Sequence, residues 1–536
     1  MTSDVLVLLP GDSVAVATRP LGPGQAVSLA DGSQITVGGQ AVPRGHKLAL
    51  VAIAAGEPVR KYGQIIGLAT SDIAPGDHVH SHNLAFSDSA EADHDYAYAS
   101  ARHELEVPPG PRPTFMGYRR ANGRVGTRNY VAILTSVNCS ATTAKLIAQE
   151  FTPEVMAAYP HVDGVIPITH SSGCGLVPSS EGGRILLRTL RGMAAHPNIG
   201  GVLVLGLGCE MVTVQQLETR PGGGVMVGMP TVGLPPAPTP AILADIPDDT
   251  AVDTLEIQTT GGIRATTRAG VAAVHRLLDQ ANQRRREVCD VADLVLATNC
   301  GGSDGYSGIT ANPALGWASD LLVAYGATSV LAETPEVYGA EHLLTRRAVS
   351  REVGEKLVAR IDWWKKYMAD GQGSLDNNPS PGNKAGGLTT ILEKSLGAVA
   401  KGGQANMAQV YEYAQTIDMH QGFTFMDTPG YDPVSVTGLV AGGCTVVVFT
   451  TGRGSVFGAA AAPSIKVATN TPMYDVMHED MDINAGRIID GTASLEQVGR
   501  EIFDMILAVA SGEHTVSEDM GVGVEEFIPW QIGAVT

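Results

Sequence analysis

Four cysteines, a histidine and several carboxylates in this sequence stand directly after short apolar, β-branched runs. Val131–Val137 is followed by Asn138-Cys139-Ser140, and Val162–Ile168 by Thr169-His170-Ser171-Ser172-Gly173-Cys174-Gly175. Val202–Leu207 leads into Gly208-Cys209-Glu210, and Leu294–Thr298 into Asn299-Cys300-Gly301-Gly302-Ser303-Asp304. Ser329–Ala332 precedes Glu333-Thr334, Val446–Thr450 precedes Thr451-Gly452-Arg453-Gly454, and Ile465–Thr469 precedes Asn470. Glycine-rich strand ends are common in α/β proteins, but a cysteine at four of seven such ends asks for a chemical reason. Thiolates are soft ligands for iron or zinc. No two cysteines have C-x-x-C spacing, so any ligand set must be assembled in space from separate segments. Cys139, Cys174, Cys209, Glu210 and Cys300 are the metal-ligand candidates. Mixed N, O and S donors suit a single ferrous ion, with an iron–sulfur cluster as the rival. Cys289 and Cys444 read as buried small hydrophobes.

A second constellation is His78-Val79-His80-Ser81-His82-Asn83. On a strand, alternate residues share a face, so three imidazoles could point one way and serve as ligands or as a base. The plain alternative is a polar surface turn. His80 and His82 join His170 as candidates for proton transfer, and Arg44-Gly45-His46-Lys47 is another polar cluster nearby in sequence. Anion binding is expected in two places. Asn377–Gly387 precedes a helix and carries Lys384, so helix-terminal N–H groups and an ammonium could hold a carboxylate. Thr450–Gly454 offers the Thr451 hydroxyl and the Arg453 guanidinium. Arg128, Asn138, Ser303, Asp304 and Asn470 complete the expected substrate-binding set.

The elements that must position these groups fall into distinct stretches. Residues 1–86 hold short apolar runs cut by Pro-Gly turns, the pattern of a small all-β module. Residues 87–115, acidic and then Pro-rich, read as a linker. Residues 116–290 and 291–536 alternate strand and helix. One predicted helix carries Leu388, Ile391, Leu392, Leu396 and Val399 and stops at Gly402-Gly403. Another opens with a Ser494/Gln497 capping box and closes near Gly512. The alternation predicts an α/β, Rossmann-like, doubly wound and mainly parallel sheet, whose C-terminal strand ends share one rim where ligands bind.

Bulk properties narrow the function. A net charge of −19 over 536 residues disfavours nucleic acid and anionic membranes as partners, while an anionic substrate would need a local basic pocket. Six cysteines make no disulfide framework, and Asp4 before the Val5–Leu9 run leaves no signal peptide, so a cytoplasmic protein is expected. There is no G-x-G-x-x-G between a strand and a helix, no phosphate loop and no G-x-S-x-G elbow.

With these residues in view, the chain resembles the altronate/galactarate dehydratase family over nearly its whole length. The segments that carry the likeness are Gly117–Tyr130 (GYRRANGRVGTRNY), Asn138–Ser140, Gly173–Gly175, Gly206–Glu210 (GLGCE), Cys300–Leu315 (CGGSDGYSGITANPAL) and Glu333–Arg346 (ETPEVYGAEHLLTR). Asn378–Gly387 (NPSPGNKAGG), Phe449–Gly454 (FTTGRG) and Met481–Gly486 (MDINAG) match as well. The first 86 residues look like the family's β-clip (SAF-like) domain. The resemblance implies a hydro-lyase that turns a sugar acid into a 2-keto-3-deoxy acid. It also implies a ferrous requirement, with Mn2+ or an iron–sulfur cluster as alternatives, and a homodimer or higher homo-oligomer. His80–Asn83 and Asp427–Pro433 lean toward altronate over galactarate. A related branch of the family releases sulfite from sulfolactate.

Overall fold

The computed structural model describes residues 4–87, 95–211 and 245–533. Part of the expected linker, residues 88–94, lies outside them. The N-terminal module is antiparallel throughout. One sheet runs Val5–Leu6, Val14–Ala17, Lys47–Ala49, His78–Val79, and another runs Pro58–Lys61, Gln64–Ala69, Leu84–Ala85. The hairpin between Lys61 and Gln64 turns on Tyr62 and Gly63, both at positive φ (61° and 68°), as a two-residue turn of this hand requires. The Asp12 carboxylate accepts both of their N–H groups and holds the turn.

The mainly parallel α/β region expected after the linker is present and is built from two parallel sheets. The first has four strands in the order Gly164–Ile168, Tyr130–Thr135, Ile199–Gly206, Ala251–Glu256. The second has seven, in the order Met407–Tyr411, Phe423–Met426, Thr328–Leu331, Val295–Cys300, Val446–Thr451, Ser464–Ala468, Ile483–Asn484. Central strands such as Val446–Thr451 are buried at every residue because both faces are covered, which is why they read as unbroken apolar runs. A small antiparallel sheet of Val125–Gly126, Thr114–Arg119 and Glu287–Asp290 ties the end of the linker to the start of the second unit.

The two parallel sheets share one core. Leu134, Ile168 and Val204 of the first belong to the same apolar cluster as Val295, Val447 and Phe449 of the second. Helices Glu181–Ala194 and Asp432–Ala441 meet between them. They approach so closely that a Cβ on Gly192 would lie 1.9 Å from the Ala441 carbonyl. The Ser494/Gln497 capping box forms as expected, on helix Leu495–Ala510. The Leu388–Val399 pattern gives helix Ile391–Ala398 and a closing turn, Val399–Gly402. Among the described residues, no helix is long and apolar enough to cross a membrane.

Candidate active site

In the seven-stranded sheet the chain starts at the central Val295–Cys300 strand, builds outward on one side, then returns to Val446–Thr451 on the other. The loops leaving these two neighbours are tied together, the Gly452 and Arg453 N–H groups donating to the Gly302 carbonyl, at a switch point of the kind where parallel sheets form their ligand-binding crevice. Asp304 is the hub of its floor. Its Oδ1 accepts from the Tyr306 N–H (3.1 Å), Ser307 Oγ (3.0 Å) and Thr469 Oγ1 (2.9 Å), and its Oδ2 from Asn470 Nδ2 (3.0 Å). Burial still pushes this carboxyl above its ordinary range. Glycines let the loops close on it: a Cβ on Gly452 would sit 2.2 Å from Asp304 Cγ, and one on Gly386 3.0 Å from Asp304 Cβ and 3.1 Å from Arg453 Cδ. Thr451 Oγ1 accepts the Gly454 N–H. Ser303 Oγ is buried with no hydrogen-bond partner, and the Arg453 side chain is exposed.

The N-terminal module roofs this crevice. Tyr306 Oη donates to the Ala17 carbonyl (2.6 Å), and a Cβ on Gly387 would lie 2.3 Å from the Gly45 carbonyl oxygen. His46 Nε2 lies 3.2 Å from the Ala385 carbonyl and its Nδ1 lies 3.0 Å from His78 Nε2. The antiparallel pairing Lys47↔Val79 sets His46 against His80, with ring centroids 4.8 Å apart. Ligating atoms of His46, His78 and His80 all lie within 4.8 Å of one another. The expected histidine strand is only His78–Val79. The chain then turns, held by Asn83, which bonds the His80 N–H and the His78 carbonyl. His82 is exposed, its ring 5.3 Å from that of His78. Burial, joined by the other imidazoles and Lys47, holds His78 down at about 3 and His80 at about 4, and burial lowers His46 too. All three are neutral at pH 7, the form that binds a metal.

The fit to a cation is specific. Two nitrogens each about 2.1 Å from a metal and at right angles lie about 3 Å apart, the His46–His78 spacing. An Nε2–H donated to Ala385 orients the His46 ring and leaves its Nδ1 lone pair facing the other two imidazoles. The module is pinned by charge as well. Lys47 and Lys61 both reach Glu393 of the catalytic unit (2.8 and 2.9 Å), and all three side chains are buried.

A second buried group lies at the neighbouring strand ends: Cys300, Glu333 and Glu336. It does not fit a metal, because two ammonium groups already neutralise it. Lys401 Nζ is 2.7 Å from Glu333 and 2.9 Å from Cys300 Sγ, and Lys394 Nζ is 2.6 Å from Glu336. Burial pushes the Cys300 thiol up to about 12. Asp432, half-buried against Gly301, is pushed up to about 8 by burial and by the charges of Glu333 and Glu336. Sequence reading did not single out His46, Glu336, Lys401 or Asp432 as site residues. The His46–Lys47 polar cluster was the one signal that could have led to the first.

The other expected site residues lie elsewhere or are spent. Cys139, Cys174 and Cys209 are exposed on the rim of the four-stranded sheet, not beside Cys300. Glu210 is buried there as a loop staple, accepting from Ser136 Oγ (2.7 Å) and the Leu207 and Gly208 N–H groups. His170, the expected base, uses both nitrogens on backbone: Nε2 faces the Thr135 carbonyl (3.0 Å) and Nδ1 takes the Ser172 N–H. Asn138 Nδ2 donates to the His170 carbonyl. Arg128 cannot bind substrate. It is fully buried, with its guanidinium on Glu518 and the carbonyls of Thr127, Val509 and Glu513. The Pro381–Ala385 helix is a single turn whose Ser380 cap is closed by Asn383, so it offers no anion site, and Lys384 is half-buried on it.

Fold and site together define an α/β enzyme whose switch-point crevice is closed by a β-module carrying imidazoles. Three family descriptions match in order along the chain: the altronate/galactarate dehydratase SAF domain at residues 3–87, the D-galactarate dehydratase/altronate hydrolase second domain at 117–282, and the D-galactarate/altronate dehydratase C-terminal domain at 291–535. Galactarate dehydratase (L-threo-forming) of Escherichia coli K12 is 37% identical over 95% of this chain and 94% of its own length. Altronate dehydratase of Bacillus subtilis 168 is 36% identical over 94% of each. The (2R)-sulfolactate sulfo-lyase beta subunit of Chromohalobacter salexigens is 32% identical over 76% of this chain and 95% of the relative. The chain belongs to the D-galactarate/altronate dehydratase family, and is thereby a hydro-lyase.

Proposed function

We propose that this protein dehydrates a sugar acid, an aldonate or aldarate with altronate first, to a 2-keto-3-deoxy acid, and that His46, His78 and His80 hold the divalent metal, ferrous iron, that it needs. The observation carrying this is the neutral imidazole trio seated on the Ala385 carbonyl, directly over the Asp304–Arg453 crevice. An all-nitrogen donor set favours one ion over an iron–sulfur cluster. When bound, such an ion supplies Lewis acidity at the substrate's carboxylate and 2-hydroxyl.

The chain's own groups do the rest. Arg453, exposed at the rim, and Ser303 Oγ, which has no protein partner, hold and orient the anionic substrate. His82, beside the trio, takes the C2 proton on a ring nitrogen. Asp432, still protonated at pH 7, gives its carboxyl proton to the departing 3-hydroxyl. The enol then tautomerises to the ketone. The test is a panel of aldonates, aldarates and sulfolactate, assayed anaerobically for keto acid and sulfite with metal-stripped and Fe2+-refilled protein, wild type and His78→Ala. Keto acid from a sugar acid only in refilled wild type is expected. Full turnover by stripped protein would remove the metal from the scheme, and sulfite as the only product would replace the reaction.

A further inference from the structure

The proposed reaction leaves unused a deeply buried nucleophile pair. Cys300 ends the central strand and Lys401 lies in the Val399–Gly402 turn. Their side chains are 1% and 0% exposed, and Nζ and Sγ are 2.9 Å apart. Lys401 has little room to swing away. A Cβ on Gly402 would press on Phe423 at 2.6 Å and one on Gly403 on Asp320 at 2.3 Å, so the turn is wedged in place. Glu333 completes the cluster. Its Oε2 is 2.7 Å from Nζ and accepts the Cys300 N–H, while its buried Oε1 has no hydrogen-bond partner. Its backbone is held at φ 69°, a left-handed conformation uncommon for a non-glycine residue. The cluster thus holds a thiol, an amine and a carboxylate that can take the amine's extra proton.

We propose that Cys300 and Lys401 form a reducible covalent link, Sγ–O–Nζ, when the protein meets hydrogen peroxide. The atoms balance in two steps. One peroxide oxidises the thiol to a sulfenic acid and leaves one water; sulfur loses two electrons. A second peroxide removes two electrons from nitrogen as the sulfenic oxygen joins the Lys401 amine, and two waters leave. The ammonium first passes its proton to Glu333. A single bridging oxygen fits the gap already present, and the link keeps Cys300 off the irreversible sulfinic and sulfonic rungs. Half-buried Asp432 packs on Gly301, the residue that follows Cys300. Because burial keeps the thiol neutral, the exposed Cys139, Cys174 and Cys209 oxidise first.

The full-length protein, held with a chelator, is treated with graded peroxide, digested without reductant and mapped by mass spectrometry. The expected product is a peptide pair joining Cys300 to Lys401, about 14 Da heavier than the two free peptides and released by dithiothreitol. It should be absent in Lys401→Arg, where Cys300 instead proceeds to sulfinic acid. Three results in wild type alone would overturn the link: Cys300 over-oxidised without a partner, Cys300 still a free thiol after the exposed cysteines reach sulfonic acid, or a pair about 2 Da lighter, the mark of a direct S–N bond. The readout is mass, so it stands apart from the reaction assigned above.

Discussion

Glu393→Gln should undo the seating of the N-terminal module while leaving both folded units intact. Glu393 Oε1 takes Lys47 (3.1 Å) and Lys61 (2.9 Å), and Oε2 takes Lys47 (2.8 Å), the Thr389 N–H (2.9 Å) and Thr389 Oγ1 (2.7 Å). An amide removes the charge but keeps the shape, so two ammonium groups remain in a dry interface. Lys47 sheds its proton cheaply: burial already holds it at about 8 with the carboxylate present, so once that raising charge is gone, neutrality at pH 7 costs less than about 1.4 kcal/mol. In the native protein Glu393, with Tyr62, holds Lys61 above its ordinary range against its burial; without the carboxylate, burial bears on an ammonium that has lost its main partner. Stranding one partner of a buried pair costs about 3–5 kcal/mol. The cost falls on the docked state, which is also held by the apolar cluster that Val14, Val59 and Ile66 share with Leu331 and Val337, so the loss appears as a smaller docked fraction. At about 1.4 kcal/mol per decade, kcat falls roughly 100-fold or more. The three imidazoles proposed to hold the metal all sit on the module, so metal content should persist while turnover drops. Steady-state kinetics, metal analysis and hydrogen exchange at Val14–Ala17 and Lys47–Ala49 read the three quantities together. Activity within threefold of wild type, with unchanged exchange, would refute the argument that this carboxylate docks the module.

Other perturbations separate roles that the sequence blurs. The Glu393 carboxyl is held below its ordinary range by the two lysines, so its contribution to docking is complete above about pH 4.5 and is lost only as pH falls through the depressed value; exchange-detected undocking should begin below about pH 4. Asp432 is protonated below about 8, so kcat should fall on the alkaline side of that value, and Asp432→Asn should lower kcat about 10²–10⁴-fold and remove that limb. His170→Gln should leave kcat within a few-fold, because both ring nitrogens already serve backbone groups; loss of all turnover with the fold intact would restore it as the base. Arg128→Met strands Glu518 and should cost about 3–5 kcal/mol in a denaturant titration, with KM for the folded fraction unchanged.

What the sequence displayed and what it hid have a common physical cause. Fully buried parallel strands advertise themselves as apolar runs, so Val446–Thr451 and its neighbours were legible, as was the polar residue after each. The half-buried strand Ala251–Glu256, with Asp253 and Glu256, carries no such run and was missed. Pairing is not written in any one run. Nothing in Val131–Val137 says that it joins Gly164–Ile168 and not Val295–Cys300, so one expected rim became two and the cysteines were divided between them. The same ignorance of register kept His46 apart from His80, thirty-four residues on, until the Lys47↔Val79 pairing set them side by side. Charge misleads in a further way. Arg128 and Arg453 look alike as anion binders, yet one is spent on Glu518 in the interior and the other stands at the crevice mouth. A carboxylate's chemistry is set by what surrounds it. Asp432 keeps its proton because the fold buries it and brings up the charges of Glu333 and Glu336, about a hundred residues earlier. The reactive groups here are therefore defined by pairs of residues far apart in the chain, and such pairs become visible only once the sheet order is known.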